Sequence, residues 1–238
     1  MTDAAAAKWK EKFEIQKKLL AGFEVKVVFD VGAYVGGYAK AYRRLFPHAQ
    51  IYAFEPLRES YETGVKRMKD DPGIRLLNLA VSDRTGRIPL YRNQDVLTSS
   101  TIPAAETGTY VDALTKTVEC VEVESVTIDD FCRQENIPSI DILKLDIQGA
   151  ELAALQGASS LLDSHKIRLL FVEVEFMEIY RGQPLFHDVA AFLTGKGYSL
   201  YDFRGLSYTE KGQLAWGDAI FCSPEVMECL DAARGPGE

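Results

Sequence analysis

Five acids stand at or near the ends of apolar, β-branched runs: Asp30, Glu55, Asp146, Glu173 and Glu175. In an α/β sheet, the carboxyl ends of the strands are where ligands gather. Asp30 ends the run VKVVFDV and opens Gly32-Ala33-Tyr34-Val35-Gly36-Gly37. A glycine-rich turn of this kind lets a ligand approach the backbone closely. A pyrophosphate cofactor wants G-x-G-x-x-G at such a turn. Here Tyr34 occupies the place of the second glycine, the spacing is G-x-x-x-G, and a carboxylate at the mouth repels phosphate. The same carboxylate suits a cationic group such as an α-amino group. About 25 residues later comes Phe54-Glu55-Pro56. An acid at that place accepts from both ribose hydroxyls and rejects a 2′-phosphate. A nucleoside with free hydroxyls and a cationic amino-acid arm describes S-adenosylmethionine.

The remaining candidates fall around the same ligand. Asn78, Ala80 and Val81 lie in NLAVSD, beside the second strand, where a flat purine would sit. Asn78 either bonds the base edge or caps the strand end. Tyr34 and Tyr38 flank the glycine turn and would cover the methionine end, although Tyr38 also reads as helix packing. In Lys144-Leu145-Asp146-Ile147-Gln148-Gly149-Ala150-Glu151, Asp146 sits at the carboxyl end of a central strand, near the reactive end of the cofactor, with Gln148 beside it. Lys144 shares a strand face with Asp146 and is a catalytic candidate, as is Glu151; Lys144 either pairs with an acid or contacts the substrate. Glu151 opens the next helix, where a negative charge is favourable in its own right. Glu173 and Glu175 also share a face. Glu173 lies inside an apolar run, where it needs a partner, and reads as a polar wall of an acceptor pocket. Ser99, Ser100 and Glu175 are candidates for contact with the acceptor. Methyl transfer to a hydroxyl needs alignment above all. It also needs a base, and Asp146 or Glu173 would serve, with a contribution of roughly 10²–10⁴-fold. A divalent metal held by such acids is possible chemistry but not favoured, because the histidine-poor site offers oxygen ligands only.

These residues must be held by a sheet. The runs at 25–31, 50–55, 74–81, 140–147 and 167–175 are dense in Val, Ile, Leu and Phe, as in strands covered on both faces. Helical stretches at 38–46, 58–69, 151–162 and 187–195 alternate with them. Thr127 followed by Asp130 reads as a capping pair for DDFCRQE. The alternation predicts a doubly wound α/β fold with a parallel sheet. The runs at 197–203 and 216–223 are joined by RGLSYTEKGQL, too short for a crossover, and so form a hairpin with one antiparallel strand. Residues 82–125 break the alternation and read as inserted strands, 87–91 and 118–123, around a polar loop near the ligand.

The formal charge of -8 disfavours nucleic acid and an anionic membrane surface. No apolar run is long enough for a membrane span, and residues 1–22 read as an amphipathic helical extension packed on a single domain, 23–238. Cys120, Cys132, Cys222 and Cys229 show no metal-binding or disulfide spacing, which points to a reduced, cytoplasmic chain. His48, His165 and His187 are scattered. Two other readings stay open: a nicotinamide-dependent oxidoreductase on a related sheet, and a catalytically silent binding protein.

DVGAYVG, FEP, NLAVSD and KLDIQGAELAALQGA, in this order and with TIDDF before the last, resemble the FkbM-type methyltransferases from about Val27 to Cys222. The resemblance implies a Rossmann-like class I methyltransferase fold with a seven-stranded, mostly parallel sheet and an antiparallel terminal hairpin strand. It also implies O-methylation of a sugar, polyketide or other small acceptor from S-adenosylmethionine. Family members commonly carry an acid where this chain has Gln148, which argues against a metal ligand there.

Overall fold

The computed structural model describes residues 3–234. Helix α1 (Asp3–Leu19) leads into β1 (Val27–Val31), α2 (Gly37–Leu45), β2 (Gln50–Phe54), α3 (Arg58–Met68) and β3 (Ile74–Leu77). A second group follows: β4 (Ala80–Val81), β5 (Gly86–Asn93), the short α4 (Val111–Leu114) and β6 (Thr117–Val126). The chain then returns through α5 (Ile128–Gln134), β7 (Ile140–Leu145), α6 (Glu151–Gln156), α7 (Ser159–Asp163), β8 (Ile167–Glu175) and α8 (Phe186–Gly195). It closes with β9 (Ser199–Tyr208), β10 (Leu214–Cys222) and α9 (Pro224–Arg234).

Seven strands form one sheet in the order β3-β2-β1-β7-β8-β10-β9. The first five are parallel, and β10 runs antiparallel between β8 and β9. This is the class I methyltransferase fold expected from the motifs. Apolar side chains on one face of the sheet pack with Phe131, Leu155, Leu162 and Leu193 of α5 to α8. Those on the other pack with Phe13 of α1, Ala39 and Tyr42 of α2, Met68 of α3 and Val226 of α9.

On that second face, Val28, Ile142, Phe171 and Ile220 form an apolar layer. Two residues further toward the carboxyl ends of the parallel strands, the period of two places Asp30, Lys144 and Glu173, with Asp218 opposite Glu173 on β10. A charged row thus crosses the sheet one step beyond its apolar core. Lys12 of α1 meets the end of the row at Asp218, Nζ to Oδ2 2.5 Å.

Three elements differ from expectation. The run 74–81 is not one strand. The Asn78 amide donates to the carbonyls of Glu55 and Pro56, at 2.9 and 2.8 Å, and turns the chain out of the main sheet. Ala80 and Val81 then pair with Ser125 and Val126 in a three-stranded sheet, β4-β6-β5. The helix expected over 151–162 breaks at Gly157, where a Cβ would lie 2.2 Å from the carbonyl oxygen of Ser82. The last hairpin is longer than expected, because most of RGLSYTEKGQL is strand. Helix α9 had no counterpart in the sequence reading.

Candidate active site

A cavity of about 280 Å³ opens at the carboxyl ends of β1, β2 and β7, and residues 96–101 of the inserted segment lie over it. Small-molecule sites run from roughly 300 to 1,000 Å³, so this one is at the compact end. One end of the cavity is apolar, with Leu79, Ala80, Val81 and Leu90. The other holds Gly32, Tyr34, Tyr38, Lys144 and Asp146, with Trp9 of α1. Glu55 and Pro56 lie on the wall.

The glycine turn is tight for a stated reason. A Cβ on Gly32, whose φ is +77°, would fall 1.8 Å from the Asp146 carbonyl oxygen, so the ends of β1 and β7 touch through their backbones. Tyr34 and Gln148, one in each turn, hold left-handed backbone angles of φ 51° and 60°. Non-glycine residues adopt that region at a cost of order 1–3 kcal/mol each and gather at functional sites. Gly36 faces Met68 of α3 and does not line the cavity.

Glu55 lies one residue past β2. Its Oε2 accepts from Tyr34 N at 2.8 Å and its Oε1 from Leu57 N at 2.9 Å. Each oxygen therefore keeps acceptor capacity for a ligand. Burial pushes its pKa up to about 7 against these two bonds.

Asp30 is elsewhere. It is fully buried, behind the cavity wall, and its carboxylate lies 3.1 Å from Lys144 Nζ. The sequence placed it at the mouth, but the register sets Asp30 beside Lys144 on β7, on the face covered by α2. Burial raises the Asp30 pKa, and Lys144 works against the rise. Lys144 also donates to the carbonyls of Val31 and Gly32, at 3.2 and 2.9 Å, and lies 3.5 Å from Asp146 Oδ2. Burial opposes its charge, but Asp146 and Asp30 outweigh this and keep it an ammonium.

Asp146, whose side chain is 31% exposed, is the carboxylate that this end presents to the cavity. Its desolvation is overcome by Lys144 and by hydrogen bonds from Glu173 and Gln148, which leave its pKa below the ordinary range. Gln148 Nε2 bridges Asp146 Oδ1 at 3.2 Å and Glu173 Oε2 at 2.6 Å. The Tyr180 hydroxyl lies 2.9 Å from Gln148 Oε1 and 2.8 Å from the Thr98 carbonyl. Burial first, then the neighbouring Asp146, raises the pKa of Glu173 well above that of an ordinary carboxyl. Of the two, Glu173 therefore holds a proton more readily than Asp146.

Glu173 and Glu175 lie outside the cavity wall, with Glu175 buried. Glu151 does too: its Oε1 accepts from Ile147 N at 2.7 Å and holds the turn before α6. Asn78 spends its amide on backbone carbonyls rather than facing a base. Ser99 and Ser100 do line the cavity, and Ser100 Oγ donates to the Gln148 carbonyl at 2.7 Å, tying the inserted segment to the β7 turn. The sequence reading missed Trp9, Leu79 and Leu90. No spacing rule links residue 9 to a turn at 32, and only the packing of α1 brings them together.

The fold, with a ligand cavity at the strand ends and an acid after each of β2 and β7, is that of a methyltransferase. A family model described as the methyltransferase FkbM domain matches residues 30–200, and the chain belongs to that family. It is similar to the 2-O-methyltransferase NoeI of Sinorhizobium fredii, with 29% identity over 71% of this chain and 75% of the relative. It is also similar to the 31-O-demethyl-FK506 methyltransferase FkbM of Streptomyces tacrolimicus, with 27% identity over 81% of each chain. A third relative is the hexuronic acid methyltransferase AglP of Haloferax volcanii, with 24% identity over 63% of this chain and 56% of the relative.

Proposed function

We propose that the cavity binds S-adenosylmethionine and that the enzyme methylates a hydroxyl of a small molecule, sugar or secondary metabolite. The observation that carries this reading is Glu55, a desolvated carboxylate on the cavity wall whose two oxygens each hold one backbone N–H and keep room for ribose hydroxyls. The apolar end formed by Leu79, Ala80, Val81 and Leu90 fits a purine. Asp146, ionised and facing the cavity, supplies the negative charge for the cationic arm, the part that the sequence reading gave to Asp30. Bound there, S-adenosylmethionine supplies an electrophilic methyl group on a sulfonium sulfur.

The chain's own work is alignment and charge. The turns at 32–37 and 146–150 touch through Gly32, so the two walls of the methyl-donor end are fixed relative to each other. Val96, Leu97, Ser99, Ser100 and Thr101 of the inserted segment form part of the cavity lining. Asp146 takes the acceptor's hydroxyl proton as the C–O bond forms. As the C–S bond breaks, the sulfonium becomes a neutral thioether, and the proton from the hydroxyl neutralises Asp146, so the net charge of the site is unchanged by transfer. Glu173, the member that holds a proton more readily, lies beside it and, through Gln148, holds Asp146 in place.

An acidic acceptor, such as the hexuronic acid named for AglP, fits less well. Among the described residues lining the cavity, Lys144 is the only cation, and Asp30 and Asp146 already pair with it. A nucleic-acid acceptor is disfavoured by the net charge of -8. Among the described residues, no three or more His, Cys, Asp or Glu side chains are grouped so as to hold a metal ion. Calorimetry with S-adenosylmethionine, S-adenosylhomocysteine and NAD tests the cofactor: binding of the first two and not the third is expected, and binding of NAD alone overturns the reading. Incubation of a metabolite extract with enzyme and trideuteromethyl cofactor then identifies the acceptor. The label is expected on a hydroxyl oxygen, and label on a carboxylate or on RNA refutes that part.

A further inference from the structure

We propose that α1, which lies outside the residues matched by the family model, completes the methyl-donor site, and that the Trp9 indole packs against the sulfonium end of the cofactor. This rests on the cofactor reading above. Trp9 is half-buried and lines the cavity. Its ring centroid is 4.4 Å from that of Tyr38, and the Tyr38 ring lies 4.8 Å from Lys144 Nζ. Lys144 in turn touches the Gly32 carbonyl and Asp146. This chain of contacts fixes Trp9 at the β1–β7 end, opposite the apolar end that fits a purine.

Residues of α1 just after Trp9 tie the helix to α2 and β10. Phe13 meets Tyr42 with centroids 5.2 Å apart, and the Tyr42 hydroxyl donates to Gln16 Oε1 at 2.9 Å in the buried interface. Lys12 bonds Asp218 and lies 3.4 Å from the Tyr38 hydroxyl. These contacts, made within two turns after Trp9, hold the helix so that Trp9 lines the cavity.

The chemistry that suits Trp9 is recognition of a cation. An indole face attracts an onium group more strongly than a phenol or phenyl ring does. Tyr38 already has the Lys144 ammonium over its ring, which leaves Trp9 and Tyr34 as aromatic walls at this end for a second cation, and of the two the indole is the stronger. The sulfonium of S-adenosylmethionine is such a cation, whereas the sulfur of S-adenosylhomocysteine is neutral. Both ligands keep the same adenosine and the same amino group. Trp9 therefore favours the donor over the product, which helps product leave.

The test is the ratio of affinities for the two ligands, measured by calorimetry on the full chain. Trp9→Leu is expected to weaken S-adenosylmethionine by about fivefold or more and S-adenosylhomocysteine by less than about twofold. Trp9→Phe is expected to fall between Leu and wild type. A general loosening of α1 lowers both affinities together, so the ratio separates recognition from packing. An unchanged ratio in Trp9→Leu overturns the inference while leaving the cofactor reading intact. Failure of the wild-type chain to bind either ligand overturns both.

Discussion

Two strand-end acids, two residues apart in their placement, have opposite fates. Glu55 lies just past the end of β2, accepts two backbone N–H groups and faces the cavity. Asp30 lies just inside the end of β1, where its side chain points into the helix-covered face and meets Lys144. The sheet still has to pair and cover a side chain within the ladder, whereas one residue beyond it the chain turns and the side chain can leave the packed face. Lys144 carries the consequence across to β7. It neutralises Asp30 on one side and leans on Asp146 on the other, so Asp146 rather than Asp30 brings negative charge to the cavity. On the proposed function, one region recognises the ligand, and the other holds the sheet ends in register while supplying the charge.

The largest expected effect breaks the architectural side. Asp30→Ala leaves the Lys144 ammonium buried with only Asp146 and two carbonyls, and removing one partner of a buried pair costs about 3–5 kcal/mol. Urea unfolding measures the loss. Asp30→Leu with Lys144→Met is expected to recover most of it, because an apolar pair of similar volume escapes the desolvation cost. A stable Asp30→Ala protein with greatly weakened cofactor binding would return Asp30 to the ligand.

The next effect breaks the recognition side. Glu55→Gln keeps the shape and one acceptor but removes the charge, so S-adenosylmethionine affinity is expected to fall by about ten- to a hundredfold, the scale of hydrogen bonds to a charged group. Because burial holds the Glu55 pKa up to about 7, wild-type affinity is expected to weaken as pH falls from 8 to 6. The ionised form accepts both ribose hydroxyls and the protonated form cannot. Calorimetry at several pH values is expected to show this slope in wild type and none in Glu55→Gln.

Much of this was legible in the sequence, and the exceptions share a cause. The strand 167–175 was read to the residue, because IRLLFVEVE is apolar on both faces almost throughout and its ends are sharp. Glu55 was legible because an acid right after a strand and before Pro56 has few places to go. The Thr127 cap was legible too, and its Oγ1 accepts from Asp130 N at 3.0 Å. What failed needed partners distant in sequence. The burial of Asp30 depends on register with a lysine more than a hundred residues away. The break at Gly157 depends on Ser82, and the break at Asn78 on the carbonyls of Glu55 and Pro56. Trp9 belongs to the same class. Local pattern sets the elements, but the side on which a polar residue ends up is a property of the assembled sheet.

Glu151 offers the finest test of the division between fold and chemistry, because it sits beside Asp146 yet serves the backbone. It is buried, and burial first, against bonds from nearby N–H groups, raises its pKa to about 7. The folded state therefore holds this proton more tightly than the unfolded state, whose glutamate titrates near 4.5. The stability linked to Glu151 is fully present below about pH 4.5, falls as pH rises toward 7 and is level above it. Glu151→Gln keeps an oxygen to accept from Ile147 N and has nothing to titrate. Its melting temperature relative to wild type is thus expected to climb between pH 4.5 and 7 and then level off. A gain of about 2–4 °C at pH 7.5 corresponds to roughly 1 kcal/mol in a chain of this size. Methyl transfer at saturating cofactor should change little. If instead the melting difference stays level with pH while turnover collapses, Glu151 belongs with Asp146 in the chemistry and the boundary between the two regions moves into α6.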